Sequence, residues 1–136
     1  MLRKIPHFIV IDDDYINNTL CRMLINSASE KRADINTFTN PEKGFEYIAV
    51  ERSKYVNGYA AIILLDLNMP VMNGWELLDR FEELNEKIKE RFKIYILSSS
   101  DDPRDRERAG SNKNVIDYIV KPLTKDVVKK IIGSNR

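Results

Sequence analysis

Short apolar runs alternate along the chain with segments in which apolar residues recur at helical spacing. Five runs have the length and composition of strands, and they cover residues 8–11, 35–38, 60–65, 94–97 and 118–120. Between them, pairs such as Phe45 and Ile48 or Leu77 and Phe81 lie three or four positions apart, as on one face of a helix. This alternation predicts an α/β fold with a five-stranded parallel sheet and five helices.

Capping residues mark where the helices begin. Asn40-Pro41 and Asp102-Pro103 each place a side-chain acceptor before a proline, which favours the first turn of a helix. Asp14 precedes the first predicted helix, whose apolar residues at helical spacing are Ile16, Leu20, Met23 and Leu24. Thr124 can cap the last helix, whose inner face we expect to be Val127, Val128, Ile131 and Ile132. The fourth helix, at about 103–111, is highly charged.

The polarity of the runs predicts their order in the sheet. The first, third and fourth runs are the most continuously apolar, which is typical of central strands covered on both faces. The second run contains Asn36 and the fifth is interrupted by Asp117 just before Tyr118, as edge strands tolerate. The order 2-1-3-4-5 satisfies this pattern and keeps every crossover right-handed, with helices on both faces. It places a switch point between the first and third strands, where open α/β sheets bind ligands.

Length and composition predict a small cytosolic protein with one domain over residues 1–136. The 43% hydrophobic and 32% charged content is ordinary for a globular chain of 136 residues. A formal net charge of +1 gives no reason to expect nucleic-acid or membrane binding, and no apolar stretch approaches the ~20 residues of a membrane span. Cys21 is the single cysteine and fits a reducing compartment. Residues 1–6 reach a strand too soon for a secretory signal, and we expect no output domain after the last helix.

Four of the runs end on polar residues that a phosphoryl site needs. The first runs into Asp12-Asp13-Asp14, the third into Asp66, the fourth into Ser98 and the fifth into Lys121-Pro122. Parallel strands bring these ends to one edge of the sheet, with neighbouring strands roughly 5 Å apart. Carboxylates this close repel one another unless a cation lies among them, and Mg²⁺ prefers such oxygen ligands. The set predicts a metal-assisted phosphoryl site, with an ammonium and a hydroxyl available to phosphoryl oxygens.

The same residues match a family pattern along nearly the whole chain. The matching segments are 9–14 (IVIDDD), 64–70 (LLDLNMP) with 72–74 (MNG), 97–100 (LSSS) and 118–122 (YIVKP). Each segment alone is a weak signal, but four in this order and spacing are highly specific. The chain resembles a response-regulator receiver domain of two-component signal transduction, of the single-domain, chemotaxis-regulator-like kind. The resemblance implies a flavodoxin-like three-layer sandwich with the same strand order.

The resemblance also implies a role for each strand-end residue. Asp66 would be the phosphoacceptor that attacks a phosphohistidine of a partner kinase, so the domain would catalyse its own phosphorylation and dephosphorylation. Lys121 would pair with the Asp66 carboxylate before the reaction and with the phosphoryl group after it. Ser98 would move toward the phosphoryl oxygens, and Tyr118 would swing inward behind it as the switch aromatic. Phosphoryl transfer asks a protein mainly for such positioning and charge neutralisation.

A Mg²⁺ site and a cis peptide bond are further implications of the resemblance. Asp13 and Asp66 would bind Mg²⁺ together with the backbone carbonyl of Asn68, whereas Asp12 would act partly through water. The Lys121-Pro122 bond would be cis.

The three-serine run 98–100 makes the assignment of the hydroxyl depend on register. The length of the preceding apolar run favours Ser98 over Ser99. In receiver domains, the side chains two positions after the acceptor and after the hydroxyl tune the lifetime of the acyl phosphate. Here they are Asn68 and Ser100, both small and polar, so we expect moderate persistence of the phosphorylated state.

The expected partner is a histidine kinase or a histidine phosphotransfer protein. It would dock around the first helix, at Ile16, Asn17 and Leu20, and at the loop after the fifth strand. Two roles stay open: phosphate relay, or direct control of a target protein bound to the face of the fourth helix, fifth strand and last helix. We expect a monomer or weak dimer that binds neither nucleic acid nor membrane.

Three other functions remain to be weighed. A haloacid-dehalogenase-type phosphatase would use Asp12 and Asp14, but it needs acidic metal ligands after the lysine, where only Asp126 follows, and it leaves Asp66 unexplained. A flavodoxin-like cofactor carrier expects a phosphate loop after the first strand, where the three aspartates would repel a phosphate. A receiver that acts without phosphorylation, as a pseudo-receiver adaptor, is the third.

Overall fold

A computed structural model describes residues 6–50 and 60–135 of the chain. Its sheet contains five parallel strands in the order β2-β1-β3-β4-β5, which confirms the predicted order. The strands are β1 (Phe8–Ile11), β2 (Ile35–Phe38), β3 (Ala61–Leu65), β4 (Phe92–Ser98) and β5 (Val115–Val120). The expectation for the first residues of the chain falls mostly on residues 1–5, outside the described part.

Six helices connect or follow the strands within the described residues. They are α1 (Tyr15–Ser29), α2 (Pro41–Val50), α3 (Gly74–Glu82), α4 (Glu86–Lys89), α5 (Pro103–Gly110) and α6 (Lys125–Ser134). The prediction contained five, and α4 is the addition. It is a single turn that begins at the Asn85 cap and is held by the Lys89 ammonium, which contacts Glu82 at 3.1 Å and Glu86 at 3.0 Å. A turn of four residues is too short for apolar periodicity to reveal.

The predicted capping residues begin their helices. The side chain of Asp14 accepts from the backbone N–H groups of Ile16 and Asn17, and that of Thr124 accepts from the N–H of Val127. Asn40 and Asp102 likewise accept from the first turns of α2 and α5. These bonds satisfy N–H groups that have no partner within the helix.

Side chains of alternating strand residues form two apolar layers on opposite faces of the sheet. Ile9 and Ile11 face α2 and α3, while Phe8 and Val10 face α1 and α6. The layer on the α2–α3 side includes Phe45, Ile48, Leu77, Leu78 and Phe81, with Ala109 as the buried residue of α5. The other includes Cys21, Ile25, Val128, Ile131 and Ile132. The molecule is therefore a three-layer α/β/α sandwich, and the inner face of α6 is as predicted except that Val127 is only half-buried.

Three of the four apolar residues that predict α1 lie on its outer face, whereas Leu24 packs against the core. Ile16, Leu20 and Met23 are 76%, 40% and 63% exposed, whereas the buried residues are Asn18, Cys21, Ile25 and Ser29. Tyr15 extends the exposed set. We call Tyr15, Ile16, Leu20 and Met23 the α1 stripe. None of the helices in the described ranges is long and apolar enough to cross a membrane.

Candidate functional site

The carboxyl ends of four strands meet at one edge of the sheet. Asp12 follows β1 and Asp66 follows β3, and these strands are neighbours in which Ile11 pairs with Leu65. Ser98 ends β4, where it pairs with Val120, and Lys121 follows directly. The backbone N–H of Lys121 donates to the Ser98 carbonyl at 2.8 Å. The structure thus brings together the polar residues that the sequence places at the strand ends.

Three carboxylates form an acidic cluster at this edge. Asp12, Asp13 and Asp66 each offer an oxygen within 4.8 Å of the others. Asp12 is 1% and Asp66 5% exposed, while Asp13 faces solvent and marks the opening of the cluster. Several hard oxygen donors, partly open to water, are the environment that Mg²⁺ prefers. The residues present therefore fit the metal that the resemblance implies, with Asn68 exposed two positions after Asp66.

The Asp12 carboxylate accepts three hydrogen bonds. Its Oδ1 accepts from the backbone N–H of Asp14 at 2.8 Å. Its Oδ2 accepts from the Asn17 side-chain amide at 2.8 Å and from the Lys121 ammonium at 2.7 Å. Buried carboxylates are tolerated when their oxygens are satisfied in this way. Both Asp12 oxygens therefore have hydrogen-bond donors within the protein.

Lys121 lies between the two buried carboxylates. Its Nζ is 2.7 Å from Asp12 Oδ2 and 3.6 Å from Asp66 Oδ1. The expected pairing with Asp66 is thus present as the longer contact, and the shorter one is to Asp12. The peptide bond between Lys121 and Pro122 is cis, as the resemblance implied.

Burial and charge set the protonation of the reactive groups. Burial, reinforced by the charge of Asp12, raises the pKa of Asp66 to about 6, against the opposing effect of Lys121. Burial also opposes the charged form of Lys121, but the two carboxylates outweigh it and raise the pKa of the ammonium above its usual value. Near neutral pH the site therefore presents an ionised Asp66 carboxylate beside a positive charge.

The serine run links the site to the α5 helix and to Tyr118. Ser98 is fully buried at the end of β4 and its Oγ accepts from the backbone N–H of Ser100 at 3.1 Å, while Ser99 is exposed. The Tyr118 hydroxyl donates to the Ser100 carbonyl at 2.7 Å, so this ring points inward over the loop after β4. The Ser100 hydroxyl donates to Asp105 in α5 at 2.8 Å. Ser100 thus connects the buried hydroxyl, the aromatic side chain and a helix.

The sequence did not predict how two residues, Gly74 and Asn17, contribute to the site. Gly74 begins α3 so close to the end of β3 that a Cβ there would lie 2.5 Å from the Asp66 carbonyl oxygen. The matched MNG segment was a signal for Gly74 as part of a motif, but not for this contact. Asn17 was expected to face a partner, yet its amide turns inward to Asp12. The signal in the sequence was the position of Asn17 five residues after Asp12, because a helix that begins at Tyr15 can turn the Asn17 side chain back toward Asp12.

The chain belongs to the response regulator receiver domain family, whose pattern it matches over residues 8–133. This agrees with the sheet order, the acidic cluster and the lysine with its cis peptide bond at one edge. The chain is similar to the crystal structure of a two-component response regulator from Cytophaga hutchinsonii, with 34% identity and a TM-score of 0.82, covering 97% of each chain.

Other relatives place the same fold in different protein contexts. A two-component response regulator of Oryza sativa subsp. japonica is 25% identical over 93% of this chain and 87% of its own length. The autoinducer 1 sensor kinase/phosphatase of Vibrio campbellii is also 25% identical, over 95% of this chain, but the match spans 13% of that larger protein. Receiver domains similar to this one therefore occur both in small regulators and within a kinase.

Proposed function

We propose that this receiver domain accepts a phosphoryl group on Asp66 from a phosphohistidine of a partner protein. The observation that carries the proposal is the pairing of a buried acidic cluster with Lys121, which lies 3.6 Å from Asp66 and 2.7 Å from Asp12. A carboxylate nucleophile, a fixed cation and further oxygen ligands are the components that phosphoryl transfer requires.

The reaction exchanges a P–N bond for a P–O bond. An Asp66 carboxylate oxygen attacks phosphorus, the bond to the imidazole nitrogen breaks, and the departing imidazole takes up a proton from solvent. Mg²⁺ held by Asp13, Asp66 and the Asn68 carbonyl would neutralise charge on the phosphoryl oxygens. Lys121 stabilises another of these oxygens as a point charge, and the Ser98 hydroxyl donates to the third.

Hydrolysis of the resulting acyl phosphate returns the switch to its initial state. Water attacks phosphorus and the Asp66 carboxylate leaves. Asn68 is exposed and the Ser100 side chain is turned toward Asp105, so both leave room for that water. This supports an intermediate lifetime, which a time course of phosphate release measures.

The decisive experiment is incubation with Mg²⁺ and acetyl phosphate followed by intact-protein mass spectrometry. We expect a gain of one phosphoryl group that is absent in Asp66→Asn and retained in Asp79→Asn, an exposed aspartate on α3. Labelling that persists in Asp66→Asn would sink the assignment of the acceptor. A wild-type protein that gains no mass would instead favour the adaptor that works without phosphorylation.

The structure disfavours the phosphatase alternative through Asp14. That reaction would need the Asp14 carboxylate in the site, but its Oδ1 caps α1 by accepting from Ile16 at 2.9 Å and Asn17 at 3.4 Å. The flavodoxin-like alternative is disfavoured because three carboxylates crowd the position where a cofactor phosphate would bind.

We infer that the phosphodonor docks on the α1 stripe. Its four residues are exposed apolar side chains on the helix that begins directly after Asp12 and Asp13. A downstream target would use the face of α5, β5 and α6, which carries a groove of about 600 Å³ lined by residues such as Ile116, Val127 and Lys130. The two surfaces leave room for either a relay or a direct output, and the buried free thiol of Cys21 fits a cytoplasmic location.

A further inference from the structure

We propose that Asn17 is a positioning residue of the metal site, whose side-chain amide fixes the orientation of the Asp12 carboxylate. The inference rests on the proposed function, in which the acidic cluster holds Mg²⁺. It gives Asn17 a role inside the site instead of on the docking surface.

Two donors share one oxygen of the Asp12 carboxylate. Asp12 Oδ2 accepts from the Asn17 amide at 2.8 Å and from the Lys121 ammonium at 2.7 Å. Asp12 is 1% exposed, so water cannot readily replace either donor. Asn17 is the neutral one of the two, so it orients the carboxylate without changing the charge of the site.

The backbone of Asn17 is fixed independently of this amide. Asn17 lies in the first turn of α1, where its N–H donates to the Asp14 cap at 3.4 Å. The other contact of the amide is the Cys21 sulfur at 3.7 Å, which is a weak acceptor. Replacing the side chain therefore removes the bond to Asp12 while the helix start is retained.

Without the Asn17 amide, Lys121 would be the remaining donor to Asp12 Oδ2. The Asp12 carboxylate could then turn about its last side-chain bond, so its oxygens would no longer hold a fixed position in the acidic cluster. Groups that orient the carboxylates around a metal typically contribute about 10- to 100-fold to metal affinity. We therefore expect Asn17 to act on Mg²⁺ affinity, and on phosphorylation only through that affinity.

The test is titration of the full chain with MgCl₂, followed by the backbone amide NMR signals near Asp13 and Asn68. We expect the dissociation constant to rise about 10-fold or more in Asn17→Ala and in Asn17→Leu. The leucine variant keeps most of the volume but lacks the donor, so it separates the hydrogen bond from packing. Asn26→Ala, the same change elsewhere on α1, should stay close to the wild type.

A second measurement distinguishes affinity from chemistry. The Mg²⁺ concentration for half-maximal phosphorylation by acetyl phosphate should rise by the same factor in the Asn17 variants, with little change in the rate at saturating Mg²⁺. Wild-type affinity in Asn17→Leu would overturn the inference, as would a lower saturating rate with unchanged Mg²⁺ binding. In both cases the wild type would still be phosphorylated on Asp66, whereas a wild type that neither binds Mg²⁺ nor gains a phosphoryl group would refute the proposed function as well.

Discussion

At the scale of single residues, ionisation of the Asp66 carboxylate destabilises the folded state. Burial and the neighbouring Asp12 raise its pKa to about 6, from an ordinary value of 3.8. Between these two values the folded protein binds more protons at Asp66 than the unfolded chain does. The contribution of Asp66 to the free energy of unfolding is therefore fully present below about pH 4, and it is lost as the pH rises through about 6.

Asp66→Asn should consequently stabilise the metal-free protein, and only at higher pH. With chelator present, we expect a gain on the order of 1–3 kcal/mol near pH 8, because each pKa unit corresponds to about 1.4 kcal/mol. Near pH 4 the difference should vanish, since the wild-type carboxyl is then protonated. Urea unfolding at both pH values measures the effect, with Asp79→Asn as the exposed control. An equal gain at both pH values would show that the asparagine acts through packing instead of charge.

Sequence patterns identified the residues of the site better than the contacts among them. Asp12, Asp66, Ser98 and Lys121 could be predicted because each directly ends or follows an apolar run, and strand topology then brings the ends together. The position of Lys121 nearer Asp12 than Asp66 could not be predicted. It depends on side-chain conformations within the site, where the Asn17 amide and the Lys121 ammonium both donate to Asp12 Oδ2, and no spacing rule determines these conformations.

At the scale of elements, the start of α3 packs against the loop that carries Asp66. Asn73 and Glu76 form a reciprocal capping box, in which each side chain accepts from the other's backbone. The backbone N–H of Gly74 donates to the Leu67 carbonyl at 2.9 Å, which draws the helix against the end of β3. A Cβ on Gly74 would lie 2.5 Å from the Asp66 carbonyl oxygen and 2.9 Å from Leu67 Cα. Both neighbours are backbone atoms, so the helix itself must shift to accommodate a side chain.

Gly74→Ala should therefore destabilise the fold and disturb the site together. We expect a loss of about 1–3 kcal/mol, as for overpacking in a core, with slower phosphorylation by acetyl phosphate because the Asp66–Asn68 loop moves. Gly133→Ala in α6 is the matched control, since a Cβ there meets nothing within 4 Å and alanine favours a helix. Chemical denaturation measures the free energy of unfolding of both variants. Similar values would show that a small shift of α3 accommodates the added Cβ at Gly74.

The elements also show where periodicity misleads. In α6 the repeating apolar residues face the core, with Val128, Ile131 and Ile132 buried. In α1 Ile16, Leu20 and Met23 face outward. The inner face instead includes Asn18, whose amide donates to the Asp12 carbonyl at 2.9 Å. A buried asparagine that ties a helix to a strand end has no apolar signature. The sequence could thus predict that α1 exists, but not which of its faces packs against the sheet.

At the scale of the whole molecule, the fold presents two outward-facing surfaces in addition to the site at the sheet edge. The α1 stripe lies on the helix that begins directly after Asp12 and Asp13, whereas Ile116, 52% exposed, lies on the edge strand β5, three positions from β1 in the sheet. Strand order was predictable because polarity distinguishes edge from central strands. The separation suggests that exchange of the phosphoryl group and reading of the phosphorylated state use different faces.

Introducing a negative charge into one surface at a time tests whether the two surfaces have different roles. In Ile16→Glu, we expect phosphoryl transfer from a histidine phosphotransfer protein that labels the wild type to slow about 10-fold, because one lost apolar anchor costs more than about 1 kcal/mol of binding. Phosphorylation by acetyl phosphate should be unchanged, since that donor needs no docking surface and the site residues are untouched. Ile116→Glu should leave both reactions at wild-type rates. Equal slowing by both variants, or loss of acetyl phosphate labelling in Ile16→Glu, would mean that the α1 stripe supports the fold of the site and is not a docking surface.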